Sequence, residues 1–335
     1  MSNLYKMLFY NTMFMGTLIS ISSISWLTTW IGLEINLLAI MPLLKTKNKN
    51  SAEAAIKYFI VQAMASSMLL FSIIFYMSMK NFSIEMQMTT SIFIDSALFM
   101  KMGAAPFHFW FPEVMSGLNW KMIFIMMTWQ KIAPMMILAF TTMIPMFLSI
   151  IIIMSSLISG IQGLNQTCLR KILAYSSINH VSWMLAAILT SVKMWWLYFM
   201  IYTIINMNII LIFNKYNIYS MINLYKLFFF NKNLKFIFML NFLSLGGLPP
   251  FLGFLPKWLT VNHLTYSNFY TLSILLIIFT LIILYFYMRI TFSTFLFNYN
   301  ENLIKNKTNT TYFHFFSNLV SLMGLLMCLI FFNFY

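Results

Sequence analysis

The sequence contains very few charged residues. Only 8% of its 335 residues are Asp, Glu, Lys or Arg, whereas 61% are hydrophobic and the mean hydropathy is +0.84. A soluble domain usually carries about 25% charged residues, so this composition excludes a water-covered globular domain, a disordered chain and a coiled coil. Because crossing a bilayer takes about 20 apolar residues and the chain has many such runs, it is predicted to be an all-α polytopic membrane protein.

Several chemistries lack the residues that they require. The two cysteines, Cys168 and Cys328, form no CxxC pair and no metal-binding spacing, and the chain has no GxGxxG and no phosphate-binding loop. No helix carries two of the four histidines, as a two-haem arrangement would need. The sequence therefore predicts no redox centre, no nucleotide site and no metal site on this chain.

Apolar runs separated by charges, Asn or Pro give about eleven candidate membrane spans. The polar stretches between them are too short for a soluble catalytic domain, so residues 1–335 are predicted to form a single membrane domain. The candidate spans are approximately 7–25, 26–44, 54–79, 91–112, 121–144, 146–166, 172–191, 194–213, 236–261, 268–291 and 314–334.

The charge balance is strongly basic, with twenty Lys and Arg against six Asp and Glu. In a soluble protein this would suggest nucleic acid, but here most basic residues lie in short loops, and no nucleic-acid partner is predicted. With eleven crossings, fourteen basic residues fall on the side of the N-terminus and two on the other. The positive-inside rule therefore places the N-terminus in the inner compartment, the matrix of a mitochondrion, and the C-terminus toward the intermembrane space.

The codon-dependent composition is typical of mitochondrial genes. The chain has eighteen Lys but two Arg, and its 31 Met would follow if AUA were read as Met. There is no Arg-rich presequence and no cleavable signal before the first apolar run. We therefore expect a mitochondrially encoded protein of the inner membrane.

Glu34 and four lysines stand out among the ionisable residues inside the candidate spans. Such residues cost several kcal/mol at membrane depth and usually mark an ion or proton path. Glu34, Lys101 and Lys131 lie near the middle of their spans, so we interpret them as functional. Lys57 lies near the end of its span, where snorkelling to water is the favoured explanation. For Lys257, function and a structural role both stay open, because its depth depends on where its helix breaks.

Prolines stand close to three of these lysines. Pro106 follows Lys101 by five residues, and Pro134 follows Lys131 by three. Proline kinks or breaks a helix, and irregular backbone at membrane depth is tolerated only where it is buried or lines a cavity. Broken helices at mid-membrane are typical of ion-coupled transporters. The residues predicted to break helices are Pro106 in the fourth span and, in the ninth, Gly246, Gly247, Pro249 and Pro250.

The two broken segments, 101–112 and 246–257, lie in the fourth and ninth spans. An offset of five helices is odd, so corresponding helices would cross the membrane in opposite directions, as in an inverted repeat. We therefore predict two inverted five-helix halves, 1–145 and 146–295, followed by a loop and a final span over 296–335.

Two histidines also lie within spans. His108 stands two residues after Pro106, at the predicted helix break, where a proton relay and a packing role both stay open. His180 has no proline beside it, and packing is the favoured interpretation. We keep both histidines, with Lys57, as secondary candidates for a proton relay.

Four motifs, supported by WIGLEINLLAI at 30–40 and SAEAAIKYF at 51–59, occur in order along nearly the whole chain. They are MKMGAAPFHFWFPEV at 100–114, TWQKIAP at 128–134, GLNQTCLRKILAYSSINHVSWM at 163–184 and LSLGGLPPFLGFLPKW at 243–258. The set resembles the subunit 2 family of mitochondrial NADH:ubiquinone oxidoreductase, respiratory complex I, in its eleven-helix animal form. The third motif separates this family from the antiporter-like subunits 4 and 5.

The resemblance implies an antiporter-like fold in the membrane arm of an H⁺-translocating NADH:ubiquinone reductase. Glu34 and Lys101 match the family's Glu–Lys pair, Lys131 matches its central lysine, and Lys257 matches the lysine of its second broken helix. The chain itself would hold no cofactor, while the complex would use NADH, FMN, iron–sulfur clusters and ubiquinone, with bound phospholipids. The implied partners are the other membrane subunits, especially chains 4 and 4L and the lateral helix of chain 5, together with accessory subunits.

These residues suggest a mechanism, and two alternatives stay open. Burial disfavours the charged form of a lysine and a nearby carboxylate favours it, so a change at Glu34 could release a proton from Lys101 and propagate through Lys131 to Lys257. One alternative is a stand-alone cation/proton antiporter of the same ancestral fold, which the subunit-specific motifs disfavour. The other is a structural spacer with a silent channel, which the costly intramembrane charges disfavour.

Overall fold

The computed structural model describes residues 2–46, 48–78, 84–141, 144–224, 232–296 and Asn318. Within these ranges the chain forms thirteen α-helices. They are α1 (Ser2–Ser22), α2 (Trp26–Leu44), α3 (Lys49–Ser78), α4 (Ile84–Met102), α5 (Trp110–Gly117), α6 (Trp120–Met127), α7 (Trp129–Phe140), α8 (Pro145–Leu164), α9 (Leu169–Thr190), α10 (Val192–Tyr216), α11 (Lys232–Gly246), α12 (Phe254–Tyr266) and α13 (Tyr270–Leu296).

Seven helical segments of the described chain are long and apolar enough to cross a bilayer. They are α2, α3, the pair α6–α7, α8, α9, α10 and α13, and each overlaps a candidate span. The fourth and ninth spans are occupied by the shorter helices α4–α5 and α11–α12, and the first by α1. The eleventh span lies outside the described residues except for Asn318. An all-helical membrane protein is therefore confirmed, while the count of eleven spans stays a prediction.

The chain divides into two compact units, Met1–Ser155 and Ser156–Tyr335. In the first unit, α1 and α2 pack through a pair of glycines. A Cβ added to Gly16 would lie 2.9 Å from the backbone nitrogen of Asn36, and one added to Gly32 would lie 2.6 Å from that of Ser20. Small residues at such crossings allow membrane helices to approach closely. Helix α2 can therefore bury one face against α1 while it presents another to α3.

In the second unit, α9 is the central helix. It contacts α10, α12 and α13, and 89% of its most apolar window is buried. Helix α13 is attached to the end of α8 by Arg289, whose guanidinium donates to the backbone oxygens of Leu164 (2.6 Å) and Gln166 (2.8 Å). Because α9 is so deeply buried, its serines, an asparagine and a histidine lie in the interior of this unit.

The fifth span is interrupted at a residue that the sequence analysis did not single out. Helix α6 ends and α7 begins around Thr128, whose backbone has φ −114° and ψ −75°. Its hydroxyl donates to the carbonyl oxygen of Phe124 at 2.7 Å, a bond to the preceding turn that bends helices. Pro134 lies inside α7 and does not end it.

Candidate functional site

The interruptions in the fourth and ninth spans are built in the same way. After α4 the chain turns at Gly103, with φ +74°, and after α11 it turns at Gly247, with φ +78°. Positive φ is readily adopted by glycine, which explains its position directly after each helix. Three residues after each glycine stands a proline, Pro106 or Pro250, and seven residues after it the next helix begins. Each unit therefore contains a helix interruption with a Gly-x-x-Pro turn.

Lys101 lies in the last turn of α4, immediately before the first interruption, and is only 7% exposed. The backbone amides of Gly103 and Ala104 both donate to the carbonyl oxygen of Phe99 at 3.0 Å, which closes the helix end. The carbonyl oxygens at a helix C-terminus carry partial negative charge, which stabilises a cation in the last turn. The position of Lys101 is therefore compatible with an ammonium group despite its burial.

A small polar cavity of about 10 Å³, room for about one water molecule, adjoins Lys101. Its lining includes Gln62, which donates to the backbone oxygen of Lys101 at 3.2 Å. Two further lining side chains, Gln130 of α7 and Asn36 of α2, are joined by a 2.9 Å hydrogen bond, and the Tyr58 hydroxyl lies 3.4 Å from Gln130 Oε1. Lys101 thus borders the same cavity as hydrogen-bonding groups on α2, α3 and α7.

Glu34 lies on α2, one residue after Leu33 of the cavity wall. Its Oε1 atom is buried without a hydrogen-bond partner. Glu34 and Lys101 do not form an ion pair within 4.0 Å in the described structure, but they are close enough to interact electrostatically. The pair suggested by the resemblance is therefore a through-space interaction here, without direct contact.

Lys131 is the most deeply buried of the candidate lysines, at 2% exposure. It lies in the first turn of α7, just after the interruption at Thr128, and its backbone amide donates to the Thr128 oxygen at 3.1 Å. Its Nζ atom lies 5.6 Å from the centroid of the Phe111 ring on α5, within the range of a cation–π interaction. Lys131 therefore contacts the helix that follows the first interruption.

Lys57 lies on the surface of the first unit and does not line the cavity. Its Nζ atom is 2.6 Å from Oε2 of Glu113, and the two side chains are 53% and 55% exposed. The favoured expectation for Lys57 was snorkelling to water, and the structure adds a carboxylate partner from α5. A role of Lys57 in a proton relay stays a prediction.

His108 lies within the first interruption and is 1% exposed. Its Nδ1 atom is 3.3 Å from the backbone oxygen of Pro106, and its ring lies 4.3 Å from that of Phe109. These contacts are compatible with a packing role. A role of His108 in a proton relay stays a prediction.

Lys257 extends from α12 back to the end of α11. Its Nζ atom donates to the carbonyl oxygens of Gly246 at 2.7 Å and Leu245 at 3.4 Å, so the ammonium group caps that helix. Its side chain runs over Gly247, where an added Cβ would lie 2.7 Å from the lysine Cδ atom. Lys257 thus follows its interruption in sequence and its amine caps α11, whereas Lys101 precedes its own interruption and lies in the last turn of α4.

His180 belongs to a buried polar cluster in the second unit. Its Nδ1 atom is 2.9 Å from the hydroxyl of Tyr198, and its ring centroid lies 4.9 Å from that of Tyr202. The three side chains line a second cavity of about 10 Å³, whose wall also includes Leu245, the residue whose carbonyl accepts from Lys257. Packing was the favoured interpretation of His180, but the structure gives it a hydroxyl partner beside a water-sized space.

Among the buried polar residues that were not predicted from the sequence, Tyr198, Tyr202 and Asp95 carry groups that can titrate. Tyr198 and Tyr202 are four residues apart and share a face of α10, a spacing that could have been noticed in this apolar run. Asp95 of α4 is 1% exposed, and neither of its carboxyl oxygens has a hydrogen-bond partner. It is one of six acidic residues in the chain, and its position inside an apolar run was the signal.

Within the described ranges, no three His, Cys, Asp or Glu side chains are grouped as a metal site would require. The candidate residues carry amines, carboxyls, hydroxyls and two imidazoles, groups that can accept and release protons.

Comparison with known proteins assigns the chain to a family. Residues 23–282 match the family model described as NADH:quinone oxidoreductase/Mrp antiporter, transmembrane. The chain is 44% identical over 334 residues to NADH-ubiquinone oxidoreductase chain 2 of Anopheles gambiae, covering 98% of both chains. It is 48% identical over 303 residues to the protein of the same name from Locusta migratoria, covering 90% of this chain and 88% of the relative.

Solved structures share the fold. A chain of respiratory complex I from Thermus thermophilus superposes with a TM-score of 0.85 at 21% identity, covering 97% of this chain and 79% of that one. A chain of the Mrp complex from Dietzia gives a TM-score of 0.72 at 13% identity, covering 83% and 58% of the two chains. The chain therefore belongs to the NADH:quinone oxidoreductase/Mrp antiporter membrane family and, within it, to the NADH-ubiquinone oxidoreductase chain 2 proteins.

Proposed function

We propose that this chain is a proton-translocating core subunit in the membrane arm of respiratory complex I. The observation that carries the proposal is that Lys101, Lys131 and Lys257 lie at helix interruptions inside an apolar bundle of this family. The chain contributes to NADH:ubiquinone reductase activity through proton movement and carries no redox centre of its own. NADH oxidation and ubiquinone reduction take place elsewhere in the complex.

In the first unit, the cavity beside Lys101 provides a place for a water molecule that exchanges a proton with the amine. Because burial disfavours a charged amine and a nearby carboxylate favours it, the charge on Glu34 controls whether Lys101 holds its proton. The hydrogen-bonded pair of Gln130 and Asn36 holds the cavity wall in place and directs polar atoms toward that water.

From Lys101 the charge change passes to Lys131 and then to Lys257, in the order of the resemblance. Moving one charge against a membrane potential costs about 2.3 kcal/mol per 100 mV, and a tenfold change in proton affinity corresponds to about 1.4 kcal/mol. A change in the proton affinity of a lysine by a factor of a few tens to about a hundred would therefore match the free energy of moving one charge across the membrane. His108, His180 and Lys57 are secondary candidates for relays along it.

The finer topology belongs to the same proposal. Eleven spans, two inverted five-helix halves at 1–145 and 146–295 and a final segment at 296–335 are supported by the shared Gly-x-x-Pro geometry of the two interruptions. The excess of basic residues on one side supports an N-terminus in the matrix and a C-terminus toward the intermembrane space. The composition supports mitochondrial encoding.

The partners are proposed from the same resemblance. They are the other membrane subunits of complex I, especially chains 4 and 4L and the lateral helix of chain 5, with accessory subunits and phospholipids around them. The complex would hold NADH, FMN, iron–sulfur clusters and ubiquinone on its other subunits. Exposed apolar side chains along α1, α3 and α13 support extensive contact with lipid or neighbouring helices.

The first test is membership of the complex. Native membranes are solubilised gently, complexes are separated on a native gel and stained for NADH oxidation, and peptides of this chain are identified by mass spectrometry. We expect the peptides in the large NADH-oxidising band. Their confinement to a small band without that activity would overturn the proposal.

A second candidate function is a stand-alone cation/proton antiporter, which the likeness to the Mrp complex chain favours. Its test is the isolated chain in proteoliposomes with an imposed sodium gradient and a pH-sensitive dye inside. Sodium-driven proton movement by the chain alone would support the antiporter. We expect none, because the subunit depends on its complex for the driving reaction.

A further inference from the structure

Asp95 is a buried carboxyl group that the path described above does not use. It lies eleven residues after the start of α4, about 16 Å along the helix axis, and six residues, about 9 Å, before Lys101. Its exposure is 1%, and both carboxyl oxygens lack a hydrogen-bond partner. An unpaired carboxylate in such surroundings costs several kcal/mol, and ionisable residues at this depth are usually functional.

Two hydroxyl groups flank Asp95. Ser91 stands one helical turn earlier on the same face of α4 and is buried, with its hydroxyl donating to the Met88 oxygen at 2.7 Å. Thr141, at the end of α7, interacts with the Asp95 side chain, but its hydroxyl donates to the Leu138 oxygen at 2.7 Å. A hydroxyl has a single hydrogen and can rotate, so Thr141 can turn its donor from Leu138 to Asp95.

The course of the chain indicates on which side of Lys101 these groups lie. Helices α4 and α7 contact each other, and because they belong to consecutive spans of the proposed topology, α4 would begin and α7 would end at the same membrane face. In the proposed topology this is the face opposite the N-terminus. Ser91, Asp95 and Thr141 therefore lie between Lys101 and that face.

We propose that Asp95 is an additional proton-carrying residue that links Lys101 to the membrane face at which α4 begins and α7 ends. This inference rests on the proposed function. The Lys101 ammonium gives one proton to the first of several water molecules between the two side chains and becomes a neutral amine, and the last of these waters passes a proton to the Asp95 carboxylate, which becomes a carboxylic acid. The acid then transfers its proton to the Thr141 oxygen as the Thr141 hydroxyl hydrogen leaves to water beyond. One proton moves, and no electrons are exchanged.

The test uses the whole complex containing this chain, purified and reconstituted into proteoliposomes, with NADH-driven proton pumping and quinone reduction measured together. Asp95→Asn keeps the size and polarity of the side chain but cannot take up a proton, and Asp95→Glu keeps the carboxyl. We expect Asp95→Asn to lower the pumping rate about tenfold or more, with Asp95→Glu restoring most of it. Glu53→Gln, at an exposed carboxyl, is the matched control and should pump like the parent.

Two results overturn the inference. The first is an assembled Asp95→Asn complex that pumps at the parental rate while the Lys131→Met complex does not pump, which refutes the role of Asp95 alone. If the Lys131→Met complex also pumps at the parental rate, the proposed function fails as well. The other covers the case in which Asp95→Asn does not assemble. Infrared difference spectra of the parent and the Asp95→Glu complex should then show a carboxylic-acid band that changes during turnover and differs in frequency between them, and its absence in both would refute the relay.

Discussion

At the scale of single residues, the sequence predicted lysines inside the apolar bundle, and Lys101 and Lys131 are buried there, but it did not predict their surroundings. Lys101 and Lys131 interrupt apolar runs, and that alone marks them, because a charge at membrane depth is costly. The side chains that line the cavity beside Lys101, such as Gln130 and Asn36, come from other helices, and the sequence carries no direct signal of which helices meet. Asp95 was missed because no proline or glycine stands beside it to draw attention to an interruption.

Replacement of Lys131 by methionine tests the centre of the path. Methionine has a similar length and suits an apolar interior, so the fold should persist while the titratable amine is lost. We expect NADH-driven proton pumping to fall about tenfold or more with the amount of assembled complex unchanged. Lys193→Met, at an exposed lysine, is the control. Parental pumping by the Lys131→Met complex would contradict the proposed path.

Gly247→Ala tests the second interruption. The backbone there has φ +78°, and the added Cβ would lie 2.7 Å from the Lys257 side chain. A strained conformation of this kind costs about 1–3 kcal/mol, so the complex should lose assembly on a native gel at a lower temperature than the parent.

The neighbouring Gly246→Ala is its matched control. An added Cβ at Gly246 meets its nearest atom, Cδ2 of Tyr287, at 3.7 Å, which is ordinary contact. Equal thermal stability of the two variants would show that the turn tolerates a side chain and that Lys257 can move aside.

At the scale of helices, apolar length identified the spans and local chemistry decided where they break. Seven helical segments coincide with predicted spans, because hydropathy over about 20 residues reports directly on membrane crossing. The interruption at Thr128 was not predicted, since a threonine that bonds to the preceding turn looks like any other in an apolar run. Pro134 lies within a continuous helix because the loss of one backbone hydrogen bond can be accommodated.

The contact between α1 and α2 gives a prediction at this scale. An added Cβ at Gly32 would lie 2.6 Å from a backbone nitrogen of α1, so Gly32→Ala must separate the two helices. Such overpacking typically costs about 1–3 kcal/mol, and we expect less assembled complex at elevated temperature. Gly160→Ala, where the nearest atom would lie 3.4 Å away in the side chain of Ile282, should be tolerated. Parental stability of Gly32→Ala would refute this account of the packing.

At the scale of the whole molecule, the loop charges and the family together define a membrane subunit. Basic loops tend to be retained on the inner side of a membrane, so the proposed orientation is a prediction from the loop charges. Exposed apolar side chains along α1, α3 and α13 leave faces that lipid or neighbouring helices can cover.

The proposed orientation predicts which loops are reachable from each side. A cysteine introduced at Lys45 should react with a membrane-impermeant maleimide in inverted inner-membrane vesicles, and one at Lys193 should react in mitoplasts. Maleimide labelling of the unsubstituted chain measures the background from the native cysteines. Labelling of both positions from the same side would mean that the number of crossings between them is even, which would overturn the topology.

The capping of α11 by Lys257 has a consequence for how fast this site can respond. An ammonium has three hydrogens and a neutral amine has two, and the Lys257 nitrogen faces two carbonyl oxygens, of Gly246 and Leu245. Both oxygens can keep a donor after the proton has left. The side chain can therefore alternate between charge states within one rotamer, and its turnover rate would be governed by proton delivery without a conformational step.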